Sequence, residues 1–288
     1  MSSIVTEQFP VVSSGIDWLS LRTSDFNQSN AYSALAYEVF DAAKKAGEKV
    51  EHGVRVGYAG RSVSGLFLGH RESSSLLTLS SDVARRYGPV ALKLGGSVAR
   101  IDLQATIDCA SHPHNLASEA FYQAKLMPLS GGRPRELKLT QVHPQGDTLN
   151  VNKRTTDHYG RIYDYGAAHE AAERHRLWRF EIEFKRSLAK NIAGTLTGAD
   201  SPGMVAQSLV HTWFNSRLPC VPFKAERHSA SQNLLPEPKR RDVLTWFETS
   251  LSITVGRAIK DYGLDRTLKA LGLDKHLNLT SERSEADA

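Results

Sequence analysis

The chain has 288 residues, 40% of them apolar and 23% charged, which supports an ordinary buried core and excludes general disorder. A formal charge of +5 and a pI near 9.1 permit a nucleic-acid partner without establishing one. The opening residues MSSIVTEQFPVVSSG lack the charged and apolar regions of a signal peptide, no apolar run approaches the roughly 20 residues of a membrane helix, and Cys109 and Cys220 make neither a disulfide framework nor a zinc site. The expectation is a cytoplasmic protein with buried thiols and no membrane partner.

In chain order, Ile16 to Arg22 alternates as a strand, with Asp17 on the side opposite Ile16. Residues 30 to 47 place Leu35, Val39, Ala42 and Ala43 at helical spacing behind an Asn30 cap, and the pattern stops at Gly47. Three β-prone runs follow, GVRVGYA, SGLFLGHR and SLLTLS, and the Gly/Ser turns between them predict an antiparallel meander. Residues 81 to 93 read as a helix that Gly88-Pro89 shortens or breaks. The run VARIDLQATIDC, residues 98–109, then reads as a strand with Asp102, Gln104, Thr106 and Asp108 on one face. A helix over residues 115–127 comes next, then a strand pair formed by ELKLTQV and DTLNVN across the HPQG turn.

Residues 146–186 carry the most chemistry. In WRFEIEFKR, Trp178, Phe180, Ile182 and Phe184 alternate with Arg179, Glu181, Glu183 and Lys185, so both glutamates share a sheet face. In RIYDY, Arg161, Tyr163 and Tyr165 share parity, so a guanidinium can sit beside a phenol. If the two segments pair, a tyrosine hydroxyl faces carboxylates. Between them, AAHEAAERHR has good helix formers over a short length. Beyond Ser187 the chain reads as mostly helical, interrupted by Pro219, Pro222, Pro236 and Pro238. The organisation read from this is a polar leader (1–15), a main domain (16–217), a Pro-rich linker (218–241), a helical C-terminal region (242–279) and a frayed tail (280–288). The fold class is α+β, a mainly antiparallel sheet with flanking helices, followed by the helical region.

The run GDTLNVNKRTTDHYGRIYD followed by WRFEIEFKR resembles the replication initiation factor family (Rep_trans type) of rolling-circle plasmids and filamentous phages. Upstream, LLTLSSDVARRYGPVALKLGGSVARIDLQATID is similar to that family's Leu-Ser segment, helix and Arg-Ile-Asp strand, so the resemblance spans roughly residues 16 to 190. It implies a Rep nuclease-like fold and an enzyme that binds an origin, nicks one DNA strand by metal-assisted tyrosine transesterification and stays joined to the 5′ phosphate. On this sequence it implies Tyr163 as nucleophile, and Asp102 and Glu181 as the acidic positions, with Glu183, Asp108 and Asp17 as weaker matches. Arg161 stands where it can support the phenolate or the phosphate.

Hard cations such as Mg²⁺ or Mn²⁺ prefer oxygen ligands, which makes Asp102, Glu181 and Glu183 the candidate metal set. Lys153, Arg154 and Thr155 are candidate phosphate contacts, and Lys239, Arg240 and Arg241 a candidate DNA-binding cluster in the tail. The implied partners are single- and double-stranded DNA, with a host helicase and a single-strand-binding protein; a homodimer is left open. Two departures stand out. Where the family has lysine two residues after the motif tyrosine this chain has Tyr165, a rival nucleophile, and where it has a second carboxylate this chain has Thr106. His112 and His114, with proline between them, read as a loop and not a metal site, and neither a Walker A sequence nor a dinucleotide fingerprint is present. The same chemistry at a transfer origin would make the protein a relaxase of a mobile element. A rival from another class is a sequence-specific DNA-binding regulator that kept the fold and lost the chemistry.

Overall fold

The computed structural model describes residues 8–109, 115–126, 136–142, 146–168, 176–218, 221–226 and 259–260. The chain divides into two compact units, Met1–Pro236 and Glu237–Ala288. Every element below belongs to the first. Most of the Pro-rich stretch and of the predicted helical region, Lys239, Arg240 and Arg241 included, lies outside the described residues, as do His112 and His114.

Among the described residues, ten strands form one antiparallel sheet: β1 (Val11–Thr23), β2 (Glu51–Arg55), β3 (Tyr58–Val63), β4 (Leu66–Arg71), β5 (Ser74–Ser80), β6 (Ser97–Asp108), β7 (Leu137–Val142), β8 (Gly146–Val151), β9 (His158–Asp164) and β10 (Leu177–Lys185). Their spatial order is β2-β3-β4-β5-β1-β6-β10-β9-β8-β7, so two meanders flank the central β1-β6-β10 set. The central strands are long and their inward residues are large and apolar: Leu19, Ile101, Leu103, Phe180 and Ile182 are all essentially inaccessible to solvent. Each such side chain contributes about 1.5–3 kcal/mol on burial.

Helices α1 (Phe26–Lys45), α2 (Ser81–Lys93), α3 (Leu116–Leu126), α5 (Arg186–Thr197) and α6 (Pro202–Asn215) pack on the apolar face, while α4 (Tyr165–Ala168) is a single turn after β9. None of the described helices is long and apolar enough to cross a membrane. On the packed face Phe180 meets Phe214 edge-on at 5.2 Å, and a side chain at Gly160 would collide with Trp213. The opposite face carries the polar residues of β6, β9 and β10, and α+β with a mainly antiparallel sheet is what the chain forms.

Several local expectations shift. α1 begins at Phe26 and is capped by Asp25, whose carboxylate accepts from Gln28 N at 2.8 Å, so the helix starts ahead of Asn30. The GVRVGYA run is two strands, because Val56 (φ 51°) and Gly57 (φ 79°) turn the chain into a tight hairpin. α2 runs unbroken through Pro89, and Gly88 lets it press against Ile16. Tyr165 has left the β9 strand and starts α4, so it no longer follows the strand's alternation. Cys109 is buried, and Cys220 lies outside the described residues.

Candidate active site

Register decides which side chains meet, because Cα partners on neighbouring strands project from the same face. Across β9, β10 and β6 three rows form on the polar face: Tyr163–Arg179–Thr106, Arg161–Glu181–Gln104 and Tyr159–Glu183–Asp102, the last continuing to Trp18 on β1. The predicted pairing of the tyrosine strand with the glutamate strand is therefore present.

Tyr163 Oη donates to Glu181 Oε2 at 3.2 Å, while Arg161 Nη2 reaches Glu181 Oε1 at 2.6 Å and its guanidinium lies 5.4 Å from the Tyr163 ring centre. One buried carboxylate thus holds the phenol and the guanidinium together. Burial pushes the Tyr163 phenol well above its ordinary value and Glu181 adds to the rise, against the pull of Arg179 and Arg161. For Arg161, burial works against the charge, but Glu181 outweighs it and the net shift is upward.

Arg179, predicted only as part of an alternating strand, is a hub. Its Nη1 reaches Asp17 at 2.9 Å, its Nε donates to Thr106 Oγ1 at 3.0 Å, and its guanidinium stacks 3.7 Å from the centre of the Tyr165 ring. Tyr165 is held by that stack, 6.5 Å centre to centre from Tyr163. Thr106, where the sequence resemblance implied a second carboxylate, continues a chain of hydrogen bonds to Gln104 and Ser13. Burial and Glu181 push the Asp17 carboxyl up, opposed by Arg179 and Arg85. Asp108, the other weak candidate, lies at the strand end and is gripped by Arg176 through two bonds of 2.9 Å.

The three candidate metal carboxylates do not converge on one point, and no three Asp, Glu, His or Cys side chains among the described residues do. Glu181 is turned to Tyr163 and Arg161. Asp102 and Glu183, however, share a partner: Arg100 Nη2 lies 2.5 Å from Asp102 Oδ2 and 2.8 Å from Glu183 Oε2. Two oxygen donors on adjacent strands that already grip one cationic group suit a hard divalent ion, which commonly takes one or two carboxylates and fills the rest of its shell with water and substrate phosphate. Asp102 and Glu183 are the two candidate carboxylates that approach one point, which Arg100 now occupies, and Glu183 is also paired with Lys185 at 2.5 Å; Glu181 is not part of that point. Burial pushes the Asp102 carboxyl up, and Glu181 and Glu183 add to it against the pull of Arg100.

Of the basic candidates, exposed Arg154 lies 3.7 Å from Glu183, Lys153 pairs with Glu136 at 3.3 Å, and Thr155 is exposed in the same turn. Lys185, 2.5 Å from Glu183, donates to the Arg154 carbonyl at 2.7 Å and ties that turn to the site. Arg100 was missed, although its parity with Asp102 on β6 put both on one face. A cleft of about 470 Å³ lined by Leu21, Leu92, Gly95, Lys190 and Ala193 contains none of these groups.

No family model and no curated protein matches the chain. Among solved structures, the rolling circle replication initiator protein from Geobacillus stearothermophilus superposes with a TM-score of 0.52 at 13% sequence identity, over 82% of this chain and 95% of that one. The two share a fold. At 13% identity that likeness carries no residue-by-residue correspondence.

Proposed function

We propose that the protein is a rolling-circle replication initiator that binds an origin and nicks one DNA strand with Tyr163. The observation that carries this reading is the Tyr163–Glu181–Arg161 triplet on the polar face of a sheet shared with a replication initiator. A nick that must later be resealed needs a nucleophile that conserves the phosphodiester bond, and a tyrosine oxygen does so. Tyr163 Oη attacks phosphorus, the bond from phosphorus to the 3′ oxygen breaks, and a 5′-phosphotyrosine and a 3′ hydroxyl result. The phenol proton passes to Glu181 Oε2, its present acceptor, and the departing oxygen takes a proton from solvent. Arg161 and Arg179 supply fixed positive charge for the phenolate and the phosphate oxygens. A Mg²⁺ or Mn²⁺ ion held by Asp102 and Glu183 would polarise the scissile phosphate.

The test is relaxation of supercoiled plasmid carrying DNA from the protein's own locus, with either metal, by wild type, Tyr163→Phe and Tyr165→Phe. Relaxed circles with covalently attached protein, lost only in Tyr163→Phe, support the reading. Loss only in Tyr165→Phe moves the nucleophile.

A second reading, a DNA-binding regulator on the same fold, is favoured by one observation: all three carboxylates are ion-paired, Asp102 and Glu183 to Arg100 and Glu181 to Arg161. It expects specific DNA binding without nicking under any metal, unaffected by Tyr163→Phe.

A further inference from the structure

The polar face does not end at the candidate active site. Following the register outward from Asp102 through Trp18 and Ser20 on β1 and Thr78 on β5 leads to Phe67 on β4, and the neighbouring row leads through Arg22, Leu76 and Gly69 to Gly60, with Tyr58 two residues along β3 on the same face. Tyr58, Phe67 and Leu76 form a small apolar cluster separate from the main core. Guanidinium groups cover it: Arg55 lies 5.0 Å from the Phe67 ring centre and Arg22 lies 6.0 Å from that of Tyr58. Nearer the centre Arg100 lies 4.9 Å from Trp18, and at the other end Arg161 lies over Tyr163. Arginines seated on aromatic rings thus run along one face from the candidate nucleophile to the far edge of the sheet.

At that edge the β2–β3 hairpin is a two-stranded ribbon. Every residue of β2 is exposed, and the tip sets Val54 and Val56, each more than 70% exposed, on either side of Arg55. Arg55 is on the polar face with Tyr58, the ribbon's other face carries Val54 opposite Ala59 and His52 opposite Arg61, and Arg71 of β4 lies beside Gly57 at the turn. Glu51 stands at the far end of β2 from the tip, and Glu72 lies in the β4–β5 turn. Folding alone gives no reason to hold two bare valines and a ring-stacked arginine at the tip of an edge hairpin.

We propose that the β2–β3 hairpin is a duplex-DNA-reading ribbon, with Arg55, Arg71 and Arg22 on phosphates and Val54 and Val56 against base edges. This rests on the reading of the protein as an origin-binding initiator. A two-stranded ribbon fits the major groove, where valine methyls can meet thymine methyls and arginine meets guanine or phosphate. Seven strand spacings separate β9 from β2, about 34 Å along the sheet, which is close to one turn of duplex. The ribbon would therefore read sequence about one helical turn from the strand that Tyr163 cuts.

The test uses fluorescein-labelled duplexes tiled across the DNA flanking the gene, and a single-stranded oligonucleotide carrying the mapped nick site. Arg55→Ala/Arg71→Ala is expected to weaken binding of the preferred duplex at least tenfold and to lower the slope of log affinity against log salt by about two, at roughly 0.9 per lost phosphate contact. It should leave nicking of the single strand at the wild-type rate. Val54→Ser/Val56→Ser is expected to reduce the preference for that duplex over the other tiles, with an unchanged salt slope. Wild-type duplex affinity and slope in the arginine variant overturn the proposal, and so does an equal loss of single-strand nicking, which would place these arginines in the cleavage step. Tyr163→Phe separates the two claims: weakened duplex binding in the ribbon variants with no tyrosine-dependent nicking in wild type leaves the ribbon standing and removes the nickase.

Discussion

Replacing Arg161 by methionine removes the guanidinium that faces Glu181 and keeps most of the side-chain volume. Glu181 is 2% exposed and lies 2.6 Å from Arg161 Nη2, so the substitution leaves a buried carboxylate facing the Tyr163 hydroxyl without its guanidinium. Breaking a fully buried pair costs about 3–5 kcal/mol. The Arg161 side chain is 36% exposed, which screens the pair, so a loss of about 2 kcal/mol is expected. Glu181→Gln keeps an acceptor for Tyr163 and lets the partly exposed Arg161 turn to water, for a loss of about 1 kcal/mol. The double variant should be more stable than the sum of the singles by about 1–2 kcal/mol. Urea unfolding of all four proteins, followed by tryptophan fluorescence, measures this coupling. A coupling below about 0.5 kcal/mol would show that the triplet is a surface pair and refute the reasoning.

Gly160→Ala drives a methyl into Trp213, whose ring atoms lie within 2.5 Å of the new carbon, and is expected to cost about 2–3 kcal/mol in urea unfolding and to shift β9; unchanged stability would contradict this packing. His158 is held neutral by burial, with Arg217 adding to the effect, and its pKa falls from 6.5 to about 4. Below pH 6.5 the unfolded chain therefore takes up a proton the folded chain does not, so stability present above that pH is lost as pH falls towards 4. For this partly exposed ring the loss is about 1–2 kcal/mol, and it should vanish from the pH profile of His158→Gln. Arg100→Gln frees Asp102 and Glu183 from their shared guanidinium and is expected to tighten Mn²⁺ binding about tenfold by calorimetry or Mn²⁺ resonance; equal or weaker binding would show that these carboxylates do not hold the ion.

The central strands were legible because they obey one rule over a long span. Alternation in WRFEIEFKR put Glu181 and Glu183 on one face and Phe180 and Ile182 on the other, and that is how β10 sits. Parity could not give register. That Tyr163 stands opposite Arg179 while Arg161 stands opposite Glu181 follows from how β9 and β10 align, which depends on the core side of both strands. Cation partners were illegible for the same reason: Arg100 reads as an ordinary polar residue until Glu183 arrives beside Asp102. Local signals failed where tertiary packing prevailed, as in α2, where contact with β1 holds Pro89 within the helix. The β2–β3 turn was hidden because Val56 takes a left-handed conformation that β-branched residues rarely adopt. Tyr165 follows the strand pattern in sequence, but the chain turns into α4 there, and Arg179 fixes its ring instead.

Tyr163 is proposed as the group that joins DNA. Its most direct test is to trap the protein on a single-stranded oligonucleotide cut at its nick site, in Mg²⁺ or Mn²⁺, digest the product and locate the nucleotide-bearing residue by mass spectrometry. The expected product is a phosphodiester-linked adduct on Tyr163 alone, abolished by Tyr163→Phe. An adduct on Tyr165 or Tyr159, or cleavage that leaves no covalent protein–DNA product, would contradict it.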